Sequence, residues 1–519
     1  MGHSRCFFRQ LQCPSILIIV MIRNTRLSLF LFVSLLLALG ASVATAGVEQ
    51  QSVTPLRRVN VPFWSGTDTP PESRRAVFWF GEVTPTSNYA DGRIVYNDRA
   101  LFVTFHIFDR DLWFANPPGP DELTRWDAVS LYLDLAGNSG SQPGSSSYRF
   151  VAQLHNQQED ALYQSAAQGN GVGWTARALP FTTDTFWRGE GLNDGSADRG
   201  WVAAFEIPFS SLGLSGRPAY DTRWGLAVAL HDRDDQAGTA RPVQRWPETS
   251  NELAPSTWGE LRFGLPGFSP PLVTNRTVTT IRHGQNGAVV EDAHVGGHAN
   301  CGQPAGPAFF PSWGSLNYAG YEQINIQNQW DAADWPCFSR YYITFPLDAL
   351  PPGKTIQQAI LTLNQFGNAS PAQAVPSFIH VLTVGEDWDE TTINWNNAPL
   401  AAENVTATVV NPIPGGHSPW PGTPRQWIVS KAVADAYAAG QPLRLVLYSS
   451  DGAYHSGKYF HSSDADVAGR PVLRITWGDL SNLELDNHML VPFVLGGSVF
   501  IAWPARRRLA LWRSSSPER

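Results

Sequence analysis

Apolar and polar residues alternate along much of this chain with a period of two. In ALFVTFHIFD (100–109), Leu101, Val103, Phe105 and Ile107 share a face, and in AVSLYLDL (128–135) Val129, Leu131 and Leu133 do. GWVAAFEIPFSSLGL (200–214) and WGLAVALHDRDD (224–235) follow the same rule. Period two marks strands with one buried face. Clusters of Gly, Pro, Asn and Asp separate these runs, which predicts short antiparallel strands packed as a sandwich.

A second series follows the Pro/Gly stretch GLPGFSPPLV (264–273). It comprises RYYITFPL (340–347), QQAILTLNQF (357–366), SFIHVLTV (377–384), LRLVLYSS (443–450) and PVLRITW (471–477). One helix is expected in IVSKAVADAYAAG (428–440), with Ser430 as N-cap and Gly440 as its stop. The expected fold is all-β: two antiparallel, jelly-roll-like sandwiches in tandem. They occupy 60–263 and 277–477, joined by a linker over 264–276, and 48–60 reads as a polar lead-in.

The ends of the chain follow a different pattern. Arg23 and Arg26 precede the apolar run LSLFLFVSLLLAL (27–39), and ASVATAG offers small residues at Ala44 and Ala46. This predicts an export signal over 1–46, with Met21 as an alternative start. Met489–Ala505 is almost entirely apolar and ends at Arg506–Arg508, which suggests membrane attachment through 489–505. Pro492 and the Gly496–Gly497 pair weaken a helix there. The protein is therefore expected outside the cell or at its surface.

Composition narrows the function classes. Net charge is −8 with only 16% charged residues, and no basic face stands out, so nucleic acid is not an expected partner. Twenty tryptophans supply many flat apolar rings. Any one of these rings is more often core than platform, so composition alone picks out no ligand.

The order NDRALFVTFHIFDRDL, RWDAVSLYLDL, GWVAAFEIPFSSLGL, WGLAVALHDRDD and WPETSNELAPSTWGELRFG resembles the family 9 carbohydrate-binding modules and their DOMON-like relatives over 60–263. That resemblance implies a sugar clamped between two tryptophans. Trp126 lies near the first position, whereas the loop 249–253, TSNEL, has no aromatic for the second. Trp246 and Trp258 flank that gap as framework residues.

Three further blocks resemble the DNRLRE domain family over 277–477: Phe345 to Leu363, Trp388 to Pro399, and Phe460 to Ile475. The middle block lies in EDWDETTINWNNAP (386–399), where Glu386, Asp387, Asp389 and Glu390 surround Trp388 and Trp395. A glycosidase needs two carboxylates on opposite sides of a bond. Four acids in one turn are better read as turn chemistry, with the tryptophans plugging the end of a sandwich.

The preferred binding region is the insertion 294–337, with Trp313, Tyr318, Tyr321, Trp330 and Trp335. A disulfide between Cys301 and Cys337 would stiffen it. His294, His298 and Cys301 lack a partner pair at zinc spacing, so no metal site is assigned there. Asp109, Asp111, Asp127 and Asp134, with Asp232, Asp234 and Asp235, are weak calcium candidates, as hard oxygen donors in loops. No other cofactor is indicated. The sequence reading is an exported, non-catalytic protein that binds a polysaccharide or cell-envelope glycan. The alternatives are a structural or adhesive surface protein and, more remotely, part of a polysaccharide-degrading enzyme.

Overall fold

The computed structural model describes residues 56–481, apart from 120–122, 139, 157–159, 238, 298–308, 330–336 and 453–454. The export signal and the apolar tail 489–505 lie outside the described residues, as do Trp330, Trp335, His298, Cys301 and the side chain of Cys337. No helix among the described residues is long and apolar enough to cross a membrane.

The architecture is all-β. In the N-terminal sandwich, one sheet runs Ala76–Thr84, Ser87–Tyr96, Ala100–Phe108, Gly200–Pro208 and Thr182–Arg188, all antiparallel. The facing sheet pairs Gly259–Phe263 with Arg223–His231, then Ala128–Asp134, Ser147–Gln153 and Gln164–Gly169. Between them lies a core that includes Leu101, Val103, Phe105, Ile107, Leu131 and Trp201. The alternating runs therefore point inward as expected.

The C-terminal sandwich has one sheet through Glu291–Gly296, Cys337–Phe345, Leu443–Ser449, Ser377–Val384 and Ala401–Val410. The other sheet pairs Val273–Ile281, Val472–Leu480 and Thr355–Asn368, and then both Thr423–Ile428 and Lys458–His461. Leu361, Leu363, Trp427, Phe460 and Ile475 fill the space between. The helix runs Ser430–Ala438. Ser430 is its first residue rather than its cap: Ser430 Oγ accepts the Ala359 N–H at 2.9 Å, because the helix packs on that strand.

Two boundaries differ from expectation. The polar lead-in is partly a strand, Arg58–Val61, which pairs in parallel with Gly259–Phe263. The linker's last residues, from Val273, already belong to a strand.

The larger difference is that the sandwiches share a core. Every residue of Ala100–Phe108 is buried, on both faces. The outward face of this sheet meets the C-terminal half through Trp79, Tyr89 and Phe108, on three adjacent strands, which pack with Phe338, Trp395 and Tyr448. Arg340 sits inside this cluster, its guanidinium 3.7 Å from the Trp395 ring centroid and 4.5 Å from that of Trp79. Ring quadrupoles stabilise that buried cation.

Polar pairs also cross the junction. Asn60 and Asn404 bond reciprocally, with Asn60 N–H to Asn404 Oδ1 at 2.7 Å and Asn404 Nδ2 to the Asn60 carbonyl at 2.8 Å. Arg57 bonds Glu248 on one side and Glu386 on the other. Arg93 donates to Glu72 at 2.6 Å and to Asn328 at 2.8 Å, and Asn328 in turn donates to Asp91.

Candidate functional site

The turn 386–399 is tied to its surroundings by backbone and side-chain bonds. Asp389 Oδ1 accepts the Thr391 N–H at 2.7 Å, and Asn394 Oδ1 accepts the N–H groups of Asn396 and Asn397 at 3.1 Å. Asn396 reaches across the junction and bonds both the N–H and the carbonyl of Val83. Trp395 is buried among Trp313, Tyr89 and Phe338. Asp387 accepts from Arg444 at 2.9 Å. Most of the acids in this turn thus hold structural partners.

The preferred binding insertion divides. Trp313 is fully buried and stacks on Phe309, with centroids 5.4 Å apart. It offers no face to a ligand, which corrects its reading as a platform: the apolar junction takes the ring instead of solvent. Tyr318 is half-buried and stacks on His294 at 4.4 Å. Tyr321 is 45% exposed. Trp330, Trp335 and the Cys301–Cys337 disulfide lie outside the described residues.

In the N-terminal sandwich, Trp126 is half-buried, and the Arg233 guanidinium covers one face 3.7 Å from the ring centroid. Trp246 and Trp258 are buried framework residues, packed on Phe78 and Tyr132.

The acidic residues sort more sharply. Asp109 follows the strand Ala100–Phe108, Asp127 precedes Ala128–Asp134, and Asp232 follows Arg223–His231. Antiparallel pairing of Ala128 with His231 brings Asp127 and Asp232 to the same end of the sandwich. One oxygen from each of the three lies within 4.8 Å of the others, and all three residues are buried. Asp127 accepts the N–H groups of Trp113 and Arg233, at 2.6 and 2.9 Å. Asp109 Oδ2 and Asp232 Oδ1 are buried with no hydrogen-bond partner.

Burial and mutual repulsion hold the Asp109 and Asp127 carboxyls well above the usual range. Burial, then Asp234, pushes Asp232 up to about 8. Three converging carboxylates, two of them with an orphaned oxygen, fit a hard cation such as calcium. Asp234 instead pairs with Arg241, Asp235 accepts the Thr239 N–H at 2.9 Å, and Asp134 accepts from Ser146 at 2.7 Å.

Sequence reasoning missed an open aromatic face on the outer sheet of the C-terminal sandwich. Phe366, Tyr459 and His461 point away from the core formed by Leu361, Leu363 and Phe460. The His461 ring centre lies 4.6 Å from that of Phe366 and 4.8 Å from that of Trp420. His417 and Tyr459 flank Phe366 at 6.1 and 6.2 Å. Trp420 is 52% exposed. Nearby, Arg425 is oriented by Gln365 and the Asn411 carbonyl, at 2.7 and 2.8 Å. A signal was available: Pro419 and Pro421 bracket Trp420, and prolines exclude a ring from a central strand.

Residues 311–477, which include this face, match the model of carbohydrate-binding module family 96. Among solved structures, the chain is similar to a family 9 carbohydrate-binding module from Caldicellulosiruptor kristjanssonii in complex with cellotriose. The identity is 19% over 40% of this chain and 94% of that one, with TM-score 0.28. For its glucose complex the identity is 19%, the coverage 41% and 97%, and the TM-score 0.28. A protein from Bacteroides uniformis is 11% identical over 40% of this chain and 99% of that one, with TM-score 0.31. No curated protein matches the chain.

Proposed function

We propose that the chain is an exported, non-catalytic carbohydrate-binding protein that engages a polysaccharide or cell-envelope glycan through its C-terminal sandwich. The observation that carries this reading is the open ring face of Trp420, Phe366, Tyr459 and His461, inside the segment similar to family 96. Trp420 would stack on a pyranose face, and Arg425, His417 and His461 would take hydroxyl or acidic groups at its edge. Affinity per site would be modest.

The N-terminal sandwich serves mainly as a scaffold in this reading. Its candidate clamp has only Trp126, already covered by Arg233. Calcium at Asp109, Asp127 and Asp232 would neutralise three buried acids and close that end of the sandwich. A surface location, held through 489–505, completes the proposal.

A structural or adhesive role without sugar binding is the second reading, favoured by the burial of Trp313. Retention of the full chain on a panel of soluble and insoluble polysaccharides separates the two. Specific retention that Trp420→Ala weakens by about tenfold or more, with the thermal midpoint unchanged, supports glycan binding. No retention on any polysaccharide moves the weight to adhesion, and released sugar products would point to an enzyme.

A further inference from the structure

A second set of acids converges in the C-terminal sandwich. Asp292 lies in the strand Glu291–Gly296, Glu390 in the turn 386–399, and Asp464 just after the strand Lys458–His461. One carboxylate oxygen from each lies within 4.8 Å of the other two. The set is graded in exposure: Asp292 is buried, Glu390 half-buried and Asp464 exposed. Three separate segments of chain therefore deliver negative charge to one rim.

The buried member is incompletely satisfied. Asp292 Oδ2 accepts the Tyr341 hydroxyl and, at 2.6 Å, the Ser463 N–H. Its Oδ1 is buried with no hydrogen-bond partner. Burying a carboxylate oxygen without a partner is costly, and a cation removes the cost. Among the described residues no Lys or Arg pairs with any of the three acids. Glu390 is positioned by backbone N–H groups of Gly320 and Asp292.

We infer that Asp292, Glu390 and Asp464 form a calcium site on the C-terminal sandwich, distinct from the acids of the N-terminal one. The donors are all hard oxygens, and the exposed edge at Asp464 leaves room for water to complete a shell of six to eight ligands. The site would also brace the segment that carries Tyr318 and Tyr321. Asn317 of that segment donates to the carbonyls of Glu390 and Ile393, at 2.9 and 2.7 Å. A cation held by Glu390 thus ties the turn, the aromatic segment and the strand end together.

Calorimetric titration of the full chain with calcium chloride, after chelator treatment and dialysis, tests this. Asp464→Asn and Glu390→Gln should each remove one binding event or weaken it at least about tenfold, since affinity follows ligand charge. Asp232→Asn should leave that event in place. Asp292→Asn is the less useful variant, because a buried change can perturb folding, whereas Asp464 is exposed. The inference is overturned if Asp464→Asn and Glu390→Gln titrate as the parent does. It is equally overturned if the parent takes up no calcium beyond what Asp232→Asn removes.

Discussion

The two sandwiches handle their aromatic residues in opposite ways. In the N-terminal one, the tryptophans at its binding-candidate edge are already occupied: Trp258 and Trp174 stack on each other, Arg149 lies over Trp174, and Arg233 covers Trp126, while Phe186 and Tyr220 keep exposed faces elsewhere. In the sheet facing the junction, the central strands Ser87–Tyr96 and Ala100–Phe108 are buried on both faces. In the C-terminal one, the inner-facing sheet is consumed by the junction, while the outer sheet leaves Trp420 half-exposed among Phe366, His461 and Tyr459. Among the described residues most tryptophans thus serve cohesion, while Trp420 keeps about half of its surface exposed. What separates Trp313 from Trp420 is the surface each meets, not its local sequence richness.

The comparison breaks most severely at the junction. Trp395→Ala should lower stability by about 3–5 kcal/mol, the usual cost of emptying a buried tryptophan site, read by chemical denaturation. Loss of Arg340's ring contacts would add to the effect. A change under about 1 kcal/mol would mean that the junction contributes little cohesion.

Next in size is Trp420→Ala. It should weaken glycan retention by about tenfold to a hundredfold, the weight of one stacked aromatic anchor. Stability should move by no more than about 0.5 kcal/mol, because the ring is half-exposed. A large fall in the melting midpoint would place Trp420 with the structural rings.

A smaller effect concerns pH. The acids Asp109, Asp127 and Asp232 hold their protons longer in the folded than in the unfolded chain. Folded protein therefore binds more protons between the ordinary aspartate value of 3.8 and about 8, and stability without calcium falls as pH rises across that window. Melting curves in chelator from pH 5 to pH 8 should show this decline, and added calcium should reduce it. Asp232→Asn should flatten the slope, and a pH-independent midpoint in the parent would refute the assignment.

The smallest expected change sharpens the contrast. Trp126→Ala should alter polysaccharide retention by less than about twofold, because Arg233 already occupies that ring. A larger loss would return the N-terminal sandwich to a binding role.

Much of the fold could be read from the chain. Period-two runs such as 100–109 and 377–384 become strands with the expected inward faces. Ala76–Thr84 and Ser87–Tyr96 were harder, because burial on both faces erases alternation and a run like AVFWF no longer declares its orientation. The same cause hid the junction: periodicity identifies one buried face, and nothing local states that Phe108 faces another sandwich. Among site residues, Asp232 came forward as a hard donor in a loop, but its meeting with Asp109 and Asp127 depends on strand register. Trp313 and Trp420 both stand in Pro- and Gly-rich text, yet the sequence reading singles out Trp313 and passes over Trp420. Only the bracketing prolines set Trp420 apart.

The reciprocal bonds of Asn60 with Asn404, and the double grip of Arg57 on Glu248 and Glu386, have a consequence for integrity after cutting. A protease that nicks the chain between Gly264 and Leu272 would produce two fragments on a gel under denaturing conditions. Under native conditions those fragments should travel as one particle, because the first strand of the N-terminal half remains clasped by the C-terminal half. Scission there would leave the halves in register, so the chain would lose its covalent continuity and still present Trp420 in the same orientation.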